Sequence, residues 1–238
     1  MSSLYLVRHG QAGLRHEYDT LSDLGRMQAR LLGEYLAAQK VQFSSVYSGA
    51  LTRQRETARE TLGVFVQAGM RTPEVQIDPR WNEFDLDAVY RAITPRLRDD
   101  DVEFRVEHEK LKQLLAQENS PAHRTWTLSD TMVVRAWVEG RYDVPGESWV
   151  AFRERVSSAA EALNGFASGE SVAVFSSATP IAVWVGMALA LEGRHVMRLA
   201  GVTYNAALTT MRVRGDDLAL YSFNGTPHLR EPHLRTLR

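Results

Sequence analysis

Leu4-Tyr5-Leu6-Val7 is an unbroken apolar run that stops abruptly at Arg8-His9-Gly10. Without polar alternation, such a run reads as a strand buried on both faces, the kind found in the middle of a parallel α/β sheet. This stretch constrains the fold more than any other, because helices must then cover the sheet from both sides. It also gives the polar triplet a position. In an open α/β sheet, ligands bind in the crevice beyond the carboxyl ends of the strands. There Arg8 presents a planar fork of donors to two phosphate oxygens, and His9 carries a nitrogen nucleophile that is largely neutral near pH 7. Gly10 lets the backbone turn sharply and come close to a ligand. Taken alone, the tripeptide reads more readily as a polar strand end with His9 satisfied by a backbone partner.

The rhythm of strand and helix then repeats. Ser22 is a suitable N-cap for a helix whose apolar positions Leu24, Met27, Leu31 and Tyr35, flanked by Leu32 and Leu36, follow helical spacing. Ser44-Ser45-Val46-Tyr47 reads as a short strand, and Ser48-Gly49 opens a second helix with Leu51, Ala58, Leu62 and Phe65 on one stripe. Arg53 lies off that stripe in the early turns. Helical side chains lean toward the N-terminus, so Arg53 points back to the strand end and adds its charge to a terminus that already favours anions. Its other reading is a solvated surface arginine. Glu74 to Asp78 predicts a further strand, and Glu83 falls in the loop beyond it. Alone, Glu83 is a surface carboxylate; beside a bound phosphate, like charge would keep a proton on it, as a general acid requires.

Residues 85–147 interrupt the rhythm and predict a mostly helical cap inserted into one domain spanning residues 1–238. Arg96 to Lys112 reads as a solvated helix face, Glu118 to Ser129 as a loop, and Tyr90, Trp126 and Trp137 as cap packing. The core resumes at Glu147-Ser148, with a helix stripe of Trp149, Phe152, Val156, Ala159, Leu163 and Phe166 capped by Ser148. Ser171 to Phe175 is a second buried strand, ending at Ser176-Ser177-Ala178. Thr179 and Pro180 follow as N-cap and first helical residue of a helix, Ile181 to Leu191, that is apolar almost all round and must be buried. Two closing strands, Ala206 to Val213 and Leu218 to Phe223, are joined by the hairpin signal Arg214-Gly215-Asp216-Asp217. The expected architecture is a three-layer α/β sandwich with a mostly parallel central sheet, helices on both faces and a helical cap.

Composition narrows the chemistry. Lys plus Arg total 28 against 29 for Asp plus Glu, so no global field gathers nucleic acid or an anionic membrane, and an anion site must be local. The absence of cysteine excludes disulfides, thiolate metal sites and a cysteine nucleophile. No signal region and no apolar run of bilayer-spanning length stands out, which predicts a cytoplasmic protein. Monomer and homodimer both stay open.

Together these residues resemble the histidine phosphatase superfamily, the group that also contains the cofactor-dependent phosphoglycerate mutases. Leu6 to Gly10 match its opening motif, and Leu21 to Gly25 with Gln28-Ala29 match the helix that follows. Ser48 to Leu51, Arg53 and Thr57-Ala58 match the second motif, and Glu83 stands where the usual proton donor stands. Gly146-Glu147-Ser148 matches the return from the cap, and Phe223-Asn224 with His228-Leu229 resembles the closing stretch. Each motif is weak alone; five in order and at the right spacing are specific. The resemblance implies a metal-independent phosphoric monoester hydrolase, without cofactor, acting on a small phosphorylated metabolite selected by the cap. His9 would carry the phosphoryl group as phosphohistidine, Arg8 and Arg53 would hold its oxygens, and Glu83 would serve the leaving alcohol and then the attacking water.

Two departures from the family pattern stand out. Where most members place a second histidine after the cap, this chain has Ser177 as the phosphate-binding candidate, which brings a hydroxyl but no charge. The difference is on the order of 1–2 kcal/mol, roughly tenfold in rate. In the loop after His9, Ala12 and Arg15 replace the usual polar residues, and Arg15 is expected to return positive charge to the pocket. The alternatives are phosphoglycerate mutase-type phosphoryl transfer and a catalytically weak protein that binds a phosphate ligand. Of the other histidines, His16 is a candidate stand-in for the absent one and His228 reads as structural. His108, His123, His195 and His233 read as surface or packing residues.

Overall fold

A computed structural model describes residues 2–163, 168–214 and 217–237. Along the chain these form β1 (Ser2–Arg8), α1 (Asp23–Ala38), β2 (Ser45–Ser48), α2 (Thr52–Gln67), β3 (Val75–Ile77), α3 (Leu86–Asp100) and α4 (Val102–Leu115). There follow α5 (Leu128–Val138), α6 (Trp149–Ser158), β4 (Ser171–Ser176), α7 (Ala178–Leu189), α8 (Gly193–Val202), β5 (Leu208–Arg214) and β6 (Asp217–Gly225). The strands make one sheet in the order β3-β2-β4-β1-β5-β6. β1 pairs parallel with β4, β4 with β2 and β2 with β3, while β5 and β6 join antiparallel at the other side. The α/β architecture is the expected one.

The chain divides into two compact units, one running to Glu83 and resuming from Arg155 to Leu237, the other Phe84–Glu154. In the first, alternation along β1 supplies both faces of the sheet. Val7 joins Val46, Ala173 and Phe175 under Leu32 and Leu36 of α1 and Ala58, Leu62 and Phe65 of α2. Leu4 and Leu6 are equally buried on the opposite face, and α7 packs against β1. Burying a side chain such as Phe65 contributes about 2–3 kcal/mol. The opening of α1 goes as its sequence requires, with Ser22 Oγ accepting from the Gly25 N–H at 3.0 Å.

In the second unit, Trp137 stacks on Phe84 at 4.5 Å between ring centres and meets Trp149 edge-on at 5.4 Å. Its indole N–H donates to the Glu147 carbonyl at 3.0 Å. The Tyr90 hydroxyl bonds Asp130, which closes a capping box with Thr127 at the start of α5.

Several local expectations need correction. The charged stretch 96–112 is two helices, because Asp101 ends α3 and caps α4 by accepting from the Phe104 N–H at 3.0 Å. Trp126 is 46% exposed, and its indole N–H donates to Thr131 Oγ1 at 3.1 Å. The helix from Trp149 gives way after Ser158 to a 3-10 turn over Ala159–Leu163; Phe166 and the Leu163 side chain lie outside the described residues. α7 begins at Ala178 with Ser177 as its N-cap, so Thr179 and Pro180 sit inside its first turn, where a missing N–H is harmless. α8 is unanticipated, since its single buried stripe, Val196 and Ala200, is too short to register as a period. Gly215 and Asp216 of the hairpin signal lie outside the described residues.

Two predictions follow from this packing. Cβ atoms built on Gly25 and Gly10 would lie 2.2 Å from the Gln11 carbonyl oxygen and 2.3 Å from the Gly25 carbonyl oxygen, so α1 rests backbone to backbone on the turn after β1. Gly25→Ala should destabilise by about 3 kcal/mol in urea unfolding. Gly63→Ala, where a Cβ meets nothing within 4 Å, should stabilise by about 0.5–1 kcal/mol. The second concerns His228, buried beside Tyr35 and held by desolvation at a pKa of about 4 against an ordinary 6.5. Unfolded chains take up a proton there that folded chains refuse, so stability should fall as pH drops from about 6.5 toward 4. The loss from this group is about 3 kcal/mol. Urea titrations at several pH values should show a shallower acid-side loss for His228→Leu than for the wild type.

Candidate active site

The carboxyl ends of β2, β4 and β1 lie side by side. Arg8 is in register with Ser176, Ser48 with Phe175, and the backbone N–H of His9 donates to the Ser176 carbonyl at 2.9 Å. The loops that leave these three strands therefore begin level with one another, and most of the candidate residues follow immediately.

His9 is 1% exposed. Its Nδ1 lies 2.7 Å from the Gly10 carbonyl oxygen, which can only accept, so Nδ1 carries the proton and Nε2 the lone pair. That lone pair accepts from Arg53 Nε at 3.2 Å. Burial first, and then the charges of Arg53 and Arg8, hold His9 well below the ordinary imidazole range. The result is a neutral imidazole of fixed tautomer, bonded to one guanidinium group and within the field of a second.

Those two guanidinium groups are held differently. Arg8 is buried; its two terminal nitrogens donate to the carbonyls of Thr203 and of Leu237, the latter at 2.8 Å, while its Nε has no partner. Desolvation lowers its affinity for a proton, whereas Tyr18 and Glu83 act the other way. Arg53 reaches back from the first turn of α2, as the lean of helical side chains requires. Its NH1 pairs with Asp19 at 3.0 Å, and the same carboxylate takes the backbone N–H groups of Thr52 and Arg53 at 3.1 and 3.4 Å. Tyr18 lies under the Arg53 guanidinium at 4.8 Å and meets the His9 ring edge-on at 6.3 Å.

Glu83 and Ser177 both sit at the N-terminus of α7. Glu83 Oε2 accepts from the Thr179 N–H at 3.1 Å, which sets the carboxylate at the positive end of that helix. Ser177 is 1% exposed and its Oγ lies 2.9 Å from Gln54 Nε2. Arg15 lies in a 3-10 turn, Arg15–Glu17, and the His16 side chain is outside the described residues. Among the described residues, no group of histidine and carboxylate side chains could hold a metal ion, and no helix is long and apolar enough to cross a membrane.

Sequence reasoning missed Tyr18, Asp19 and Gln54. Tyr18 and Asp19 sit in an irregular loop with no period to read. Asp19 is the one with a usable signal, since a carboxylate within a polar loop is a common helix-terminus partner, but its helix begins some 30 residues away.

A family model described as the histidine phosphatase superfamily (branch 1) matches residues 4–113 and 94–226. The serine/threonine-protein phosphatase Pgam5, mitochondrial, of Caenorhabditis elegans is 30% identical over 130 residues, covering 44% of this chain and 46% of that protein. The match thus spans about half the length of that relative. Among solved structures, a phosphoserine phosphatase mutant from Entamoeba histolytica superposes with a TM-score of 0.60 at 18% identity, over 96% of this chain and 100% of that one. A phosphoglycerate mutase from Bacillus anthracis gives 0.61 at 17%, over 96% and 95%. At these identities the likeness speaks for the fold alone. Since the family model runs from β1 into β6, the protein belongs to the histidine phosphatase superfamily, branch 1.

Proposed function

We propose that this protein hydrolyses a small phosphate monoester by way of a phosphohistidine on His9. The observation that carries the reading is the neutral His9, its lone pair on Nε2, bonded to Arg53 and in the field of an Arg8 whose Nε has no acceptor. An incoming phosphoryl group would take the Nε–H donors of both arginines and so release the histidine lone pair. Nε2 then attacks phosphorus as the ester P–O bond breaks, and protonated Glu83 gives its proton to the leaving alcohol. Water next attacks the phosphohistidine, Glu83 takes the water's proton, and the P–N bond breaks to release inorganic phosphate and the original imidazole. Such a transfer relies on positioning and positive charge, which the two guanidinium groups supply, with Ser177 as a further donor. Pgam5 is named a phosphatase, which agrees with hydrolysis. Arg15 is proposed to add charge from the loop.

Mixing the protein with an aryl phosphate labelled at phosphorus should leave acid-labile label on His9. His9→Ala should abolish that label and lower kcat/KM roughly a thousandfold or more. Turnover that survives His9→Ala would overturn the mechanism. Free phosphate from a phosphoglycerate supports hydrolysis, positional isomers indicate a mutase instead, and binding with neither label nor turnover indicates a binding protein.

A further inference from the structure

The Ser177 hydroxyl is buried and has Gln54 Nε2 as its hydrogen-bond partner, at 2.9 Å. The polarity of that contact is fixed by the rest of the glutamine. Gln54 is itself fully buried; its Nε2 also lies 3.1 Å from the Trp81 carbonyl, which can only accept, and its Oε1 takes the Leu51 N–H at 3.3 Å. Turning the amide round would set oxygen against oxygen and N–H against N–H. Nε2 is therefore the donor, and the serine oxygen the acceptor.

The serine's own proton has no acceptor among the described residues. Ser176 shows the contrast, because its hydroxyl donates to the Trp81 carbonyl at 2.7 Å. A buried O–H without an acceptor is costly, and an oxyanion relieves it. Ser177 directly follows the residue whose carbonyl binds the His9 N–H, so in backbone register it stands level with His9 at the end of the neighbouring strand.

We infer that Gln54 is a positioning residue, holding the Ser177 oxygen as an acceptor so that the hydroxyl proton is delivered to a phosphoryl oxygen at His9. The inference rests on the phosphoryl-binding reading above. Its content is that orientation, imposed from α2, stands in where the family pattern supplies a charged imidazole.

A double-mutant cycle tests it, with the affinity of orthovanadate and of inorganic phosphate measured by calorimetry alongside kcat/KM for an aryl phosphate. Ser177→Ala should weaken vanadate binding about 10- to 100-fold, as expected for a hydrogen bond to a charged group. Gln54→Met should weaken it about two- to tenfold, since the hydroxyl stays but its direction is lost. In the Ser177→Ala background, Gln54→Met should change affinity less than twofold. If the two losses instead multiply, or if Ser177→Ala changes nothing, the inference is wrong. Should Gln54→Met not fold, Gln54→Glu enters the same cycle, where its loss should shrink once Ser177 is gone and an undiminished loss counts against the idea. Coupled losses of phosphate affinity in a protein that neither hydrolyses nor labels His9 would overturn the hydrolase reading and leave this one standing. A wild-type protein that binds neither anion would overturn both.

Discussion

The hydrogen bond from His9 Nδ1 to its neighbour's carbonyl is the contact on which the candidate site depends. It fixes the tautomer, and with it the nitrogen that faces Arg53. The bond requires the Gly10 carbonyl to be aimed at the ring, and the turn that carries it packs so closely on α1 that a Cβ on Gly10 would meet the Gly25 carbonyl oxygen at 2.3 Å. Two further bonds hold the same turn in place. The Gly10 N–H donates to Thr57 Oγ1 at 3.0 Å and the Gln11 N–H to Gln28 Oε1 at 2.8 Å. Residues of α1 and α2 that look like helix interior are thus props for one imidazole.

Two arginines and a histidine buried together raise an electrostatic difficulty, since like charges in a poorly hydrated site repel and each resists desolvation. Three devices answer it. The imidazole is kept neutral, so it adds no third charge. Arg8 is bound to two backbone carbonyls, which solvate a guanidinium without neutralising it. Arg53 is paired with Asp19, a carboxylate that is half exposed and also serves the N-terminus of α2. Positive potential therefore survives where a phosphoryl group would lie, while the protein remains near neutrality as a whole.

Much of this was legible in the sequence. The unalternating runs Leu4 to Val7 and Val172 to Phe175 give the central parallel strands, and the lean of helical side chains predicts that Arg53 reaches back to His9. The rest was not legible because its determinants are distant. Gln54 is related to Ser177 across 123 residues, and Asp19 to Arg53 across 34, with no local pattern to announce either. Even the start of α7 was misplaced, because Thr-Pro is a strong local signal for a helix start and the strand end at Ser176 overrides it. Asp101 likewise divides a charged run whose composition reads as one helix.

The anchoring of Arg8 has a consequence for how the molecule comes together. Its two carbonyl partners, on Thr203 and Leu237, lie 195 and 229 residues farther along the chain, while the arginine itself stands at the end of the first strand. During synthesis 195 further residues must emerge before the first of these carbonyls is available. Contacts so remote in sequence close slowly, because the intervening loop must surrender its freedom before they form. The anchoring of Arg8 is accordingly a contact of high sequence separation, and a chain that has not yet reached Leu237 lacks one of its two carbonyls.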